Sequence, residues 1–193
     1  AGTYDERVDF TRAVTLLGRC AAEVHIAPGP SSVYATVRVL PGAGGTTIPV
    51  VIRGVTISGA RPGLSVENGA ATVEVHVERV LIRNAAVRAV YATGAGASVS
   101  LDEVVVSWPR GEGESEVGGG IVAIFGARLS ARRTRIAGAH GVALIVAGGD
   151  AHVETTLITT VRPLALSNAP PGEPTDEVGF GVEVGVGGRL TMV

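Results

Sequence analysis

Six carboxylates stand in two short stretches of this 193-residue chain. Glu112, Glu114 and Glu116 lie in the first, and Glu173, Asp176 and Glu177 in the second. Oxygen donors gathered in this way could hold calcium, which takes several carboxylate and carbonyl ligands. Arg88 and His140 stand near the roots of the same stretches. The opposing reading is that these are solvated charges on Gly/Pro-rich loop tips. A second candidate, the pair Glu78 and Asp102, has the residue types of a glycosidase dyad. A third is metal binding by His76 and His152, which share a column of the pattern described below.

Other chemistries find no footing. Phosphate-cradling glycine loops, nucleophile elbows, HExxH and Cys/His clusters are absent from the sequence. A formal charge of -2 and a pI near 6.1 give no general attraction to nucleic acid or anionic lipid. No apolar run approaches the roughly 18 residues of a membrane span, and no basic-then-apolar leader appears. The single cysteine, Cys20, excludes an internal disulfide. It is expected to be buried as a small hydrophobe, with pairing to a cysteine outside this segment as the other reading.

The elements that must position these residues are repeats. Val75, Val77, Val80 and Ile82 recur as Val99, Leu101, Val104 and Val106, 24 residues on. The same apolar-x-apolar-x-x-apolar-x-apolar template fits Val50, Ile52, Val55 and Ile57, then Leu129, Ala131, Thr134 and Ile136, then Ala151, Val153, Thr156 and Ile158. At its second position, Ile52 to Val77 is 25 residues, Val77 to Leu101 is 24 and Ala131 to Val153 is 22. Insertions at 109–119 and 163–178 lengthen two repeats, the second before a last copy at Leu190 and Met192. A further strand opens each unit, at Leu64/Val66, Val87/Ala89, Ile121/Ala123, Val142/Leu144 and Val182/Val184. The glycines Gly63, Gly120, Gly141 and Gly181 just before them need either positive φ or small size. Three short strands per 22–25 residues, with no helical period, predict an all-β solenoid forming a single domain over 1–193.

Alternation then assigns the outward columns. After the second strand they read Arg53, Glu78, Asp102, Arg132, Glu154, and one position on Gly54, Arg79, Glu103, Arg133, Thr155. Opposite charges meet at nearly every step, so Glu78 and Asp102 belong to a charge ladder that sets coil register rather than to a dyad. His76 and His152 are separated by Ser100 and Ser130, hence by roughly 14 Å at the strand spacing. One zinc ion, with ligand atoms about 2 Å away, cannot reach both. His25 and His140 are isolated. On the first strand, Val90, Val122, Ile124, Ala143 and Ile145 are expected to face outward as an apolar patch. Such a patch is covered either by the two insertions or by a partner chain.

The opening AGTYDERVDFTRAVTLLG, with the later G-apolar-x-apolar and I-x-x-A motifs, resembles bacterial right-handed parallel β-helix proteins of the pectin-lyase-like superfamily. The resemblance implies a right-handed parallel β-helix, consistent with the handedness of parallel crossovers, and about seven coils are expected along the chain. It also implies an extracellular or cell-surface location, and a carbohydrate or protein partner. That superfamily spans lyases, hydrolases, epimerases, adhesins and non-enzymatic modules. No catalytic residue carries over, lysine is absent and aromatics are few, at 4%. The favoured expectation is a non-catalytic binding or structural module; the alternative is a polysaccharide lyase or glycoside hydrolase. Both termini stop within strand-like sequence, so the segment is expected to belong to a longer chain or to self-associate through its open coil end.

Overall fold

The computed structural model describes residues 2–28, 35–41, 46–59, 62–68, 71–85, 87–107, 119–162 and 181–193, with backbone alone at 164–165, 177–178 and 180. Among the described residues every regular element is a β-strand. Three parallel sheets of seven strands each stack into a β-solenoid.

Sheet 1 holds Val8–Phe10, Val37–Val39, Pro62–Glu67, Arg88–Thr93, Gly119–Ile124, Val142–Ala147 and Phe180–Val184. Sheet 2 holds Val14–Leu17, Ile48–Arg53, Val73–Glu78, Ala97–Asp102, Arg128–Arg132, Asp150–Glu154 and Arg189–Met192. Sheet 3 holds the short strands Gly2–Tyr4, Val24–Ile26, Thr56–Ser58, Leu81–Arg83, Val105–Ser107, Arg135–Ala137 and Leu157–Thr159. The regular part is about five turns, from Ile48 to Val184. Further strands before it, and in sheet 2 one after it, bring each sheet to seven, so the regular turns number about five where about seven coils were expected.

The repeat register is the register of sheets 2 and 3. Ile52, Val77, Leu101, Ala131, Val153 and Met192 are successive ladder partners. So are Ile57, Ile82, Val106, Ile136 and Ile158. Stacking identical inward positions lets each branched aliphatic side chain fill the space above the last, at close packing. Of the expected core, Val50, Ile52, Val75, Val77, Val80, Ile82, Val99, Leu101, Val104, Val106, Ile136 and Val153 are buried, and Ile158 is partly buried against them. The three buried threonines bond to backbone oxygens: Thr36 to Ser58, Thr56 to Ala21 and Thr134 to Arg132.

Between sheets 2 and 3 the chain turns on a left-handed residue. Gly54, Arg79, Glu103, Arg133 and Thr155 have φ of 67, 53, 54, 49 and 48°. Their amides still donate along the stack: Gly54 to Glu78, Arg79 to Asp102, Glu103 to Arg132 and Arg133 to Glu154. The ladder therefore runs unbroken around this corner, which offsets part of the cost of the left-handed backbone.

Sheet 1 departs from the sequence reading. Leu64 pairs with Val90, and Ile121 with Leu144, which pairs with Val182. The inward positions of the strand 88–93 are thus Val90 and Ala92, three residues later than the expected Val87 and Ala89, and Val146 joins Leu144 inside. The expected outward residues Val90 and Ala143 are buried instead, at 0% exposure each. The reason is that Arg88–Thr93 carries Ala89, Val90 and Ala92, so apolar residues occur without a clean alternation. Gly63 has no positive φ; a Cβ there would stand 2.6 Å from Ile82 Cγ2, so it is the room at this corner that requires glycine. Gly141, by contrast, takes φ 82° and needs glycine's freedom.

Cys20 is exposed, not buried. Elsewhere the corner from sheet 2 to sheet 3 takes two residues, as at Gly54 and Val55, but between Leu17 and Val24 it takes six. The longer turn carries the thiol outward.

Candidate functional site

Both insertions sit at one corner, between sheet 3 and sheet 1. The first departs after Ser107 and the second beyond Thr159; both residues are ladder neighbours of Ala137. The chain re-enters sheet 1 at Gly119 and at Phe180. Phe180 pairs with Val142, and the Ile121–Leu144 register puts Gly119 on the other side of the same residue. The two loops thus leave and return at equivalent positions two coils apart, about 10 Å at the strand spacing. In the coil between them, residues 138–141 make the same connection in four residues.

Of the expected site residues, Arg88 and His140 are described. Arg88 lies at the start of its strand beside Gly119, with its guanidinium carbon 4.7 Å from the centroid of the Tyr91 ring. That is a cation–π stack on the outer face of sheet 1. His140 forms a backbone bridge with Arg162 at the root of the second insertion. Glu177 belongs to a two-residue antiparallel pairing with Ala165, for which the backbone alone is described. Glu112, Glu114, Glu116, Glu173 and Asp176 lie outside the described residues, as does the expected cover of the apolar face. That face consists of Tyr91, Val122 and Ile145 in one column, with Ile124 beside them. Val122 is only 2% exposed although its register points outward. Among the described residues no group of three or more His, Cys, Asp or Glu side chains could hold a metal ion.

The ladder carboxylates Glu78 and Asp102 are committed to arginines. Glu78 receives Arg53 on one oxygen and Arg79, at 2.7 Å, on the other. Partial burial would raise its pKa, but the two guanidiniums outweigh burial and hold it below the ordinary carboxylate value. Arg133 donates twice to Asp102, at 2.9 and 2.5 Å, and lowers that carboxyl as well. Arg133 also reaches Glu103 at 3.5 Å, and Arg132 reaches Glu154 at 3.7 Å. The ladder is as expected in kind, but two of its rungs shift: Asp102 takes Arg133 rather than Arg132, and Arg79 takes Glu78 rather than Glu103. The left-handed backbone at 79 and 133 swings those side chains back toward the neighbouring column. A general acid needs a raised pKa, so Glu78 and Asp102 have the opposite adjustment.

His76 and His152 are three ladder steps apart, through Ser100 and Ser130. His76 Nε2 stands 3.7 Å from Glu78. A further polar cluster escaped sequence reading. On sheet 1, Arg38 forks onto Glu67 at 2.9 and 2.7 Å, and the Ser65 hydroxyl donates to the same carboxylate at 3.0 Å. The Arg38 hydrogen bonds are the main cause of a lowered Glu67 pKa. Arg38 is directly opposite Ser65, so its bond to Glu67 is diagonal, and column-by-column reading does not find diagonals.

No family model, curated protein or solved structure matches this chain.

Proposed function

We propose that the chain is a non-catalytic binding or structural module, a β-solenoid scaffold that carries two insertions side by side at one corner. The observation behind this reading is the shared geometry of the insertion roots: Ser107 and Thr159 flank Ala137, and Gly119 and Phe180 flank Val142. Variable loops on a regular scaffold are where binding sites accumulate. The strand carboxylates support the same reading, because each acidic group of the ladder nearest a catalytic arrangement is tied to guanidinium and has a lowered pKa. An oligosaccharide array with divalent cations present tests it. Retention of the chain without new reducing or unsaturated ends is the expected result. Release of such ends would identify a hydrolase or lyase and overturn the reading.

A further inference from the structure

Away from the insertions, residues 18–21 of the six-residue turn border an open cavity of about 520 Å³ against the next two coils. Its lining is Gly18, Arg19, Cys20 and Ala21 from the turn, Arg53 and Gly54 from the coil above, and Arg79 from the coil after that. Three arginines therefore line one opening, and among the described residues no acidic residue lines it. Glu78 lies behind, bonded to both Arg53 and Arg79, which leaves the cluster with a net formal charge of +2 once Arg19 is counted. Arg19 forms no ion pair among the described residues and is exposed. The floor is backbone: Gly18 and Gly54 stack so closely that a Cβ on either would collide with the carbonyl of the other.

Guanidinium groups recognise planar or tetrahedral oxyanions through paired N–H donors, and three of them around one small cavity favour a group with several oxygens. We propose that this corner is an oxyanion-binding site for a phosphate- or sulfate-bearing solute, with the Cys20 thiol on its rim. The site is separate from the insertion corner and does not depend on how that corner functions.

Cys20 supplies the reporter, since it is the chain's one cysteine and is exposed. The Cys20 thiolate attacks the reagent's disulfide, keeps one half as a mixed disulfide and releases the other as a light-absorbing thiolate (from the nitrobenzoate reagent) or thione (from the pyridine reagent), so the rate at Cys20 is read directly. The dianionic dithiobis-nitrobenzoate is compared with neutral dithiodipyridine, in wild type and in Arg19→Gln. The anionic reagent is expected to lose on the order of tenfold in rate relative to the neutral one on substitution. Millimolar inorganic phosphate or sulfate is expected to slow the anionic reagent more than chloride does at equal ionic strength. Slowing by one of these anions alone assigns the site to that anion. The neutral reagent reports any general change in thiol exposure, so misfolding of the variant shows as a change in both rates. An anionic-to-neutral ratio unchanged by Arg19→Gln, or an effect of phosphate and sulfate no greater than that of chloride, would overturn the proposal.

Discussion

Leu101 stacks directly on Val77 in one inward column, although the two are 24 positions apart in the chain. Both are at most 1% exposed. That relationship repeats down the solenoid and makes its stability a matter of nearest coils. Leu101→Ala empties a site with Val77 on one side and Ala131 on the other. It is expected to cost about 2–5 kcal/mol, whereas Leu157→Ala, at a position 55% exposed, costs well under half as much. Urea unfolding of the two variants measures this. Equal losses would mean that the inward column is wrongly drawn.

The charge ladder makes stability fall in acid. Asp102 and Glu78 have folded pKa values below their unfolded ones, near 3.9 and 4.3. Their contribution is therefore fully present above about pH 5 and is lost as pH falls through the unfolded and then the depressed folded values. Asp102→Asn is expected to lower the urea midpoint at neutral pH, and the gap from wild type should close as the pH drops well below 3.9. A gap that widens in acid would reverse the assigned sign.

Thr155 holds a β-branched side chain at φ 48°, the least suitable type for a left-handed corner. Thr155→Gly removes the clash of Cβ with the backbone, partly offset by the greater freedom of glycine when unfolded. A net gain of roughly 0.5–1 kcal/mol is expected from thermal or urea unfolding. A loss would show that the corner does not have this backbone in solution.

How far the chain could be read before its structure was known depends on what each strand carries. In sheets 2 and 3 valine, isoleucine and leucine alternate with charged or small polar residues, so stacking the copies reproduces Ile52, Val77 and Leu101 in register. Sheet 1 lacks that contrast at Ala89, Val90 and Ala92, and a slip there by an odd number of residues, three in this strand, turns every side chain to the other face. The positive φ at Arg79, Glu103 and Arg133 left no mark either, because none is glycine or asparagine. Exposure of Cys20 was legible in principle, since Gly18 to Glu23 lengthens a corner that elsewhere needs two residues. The Arg38–Glu67 fork required knowing that sheet 1 pairs Arg38 with Ser65.

The division between scaffold and insertions can be tested most directly by excision. Residues 108–118 and 160–179 would each be replaced by the four-residue connection found at 138–141, Gly138-Ala139-His140-Gly141, which joins the same two sheets one coil away. Shortening the loops changes closure entropy by on the order of 1 kcal/mol. The account predicts a cooperative fold with an unfolding free energy within about 2 kcal/mol of wild type and with retention on the oligosaccharide array abolished. Loss of the β-sheet signal, or retention undiminished in the folded excised chain, would contradict it.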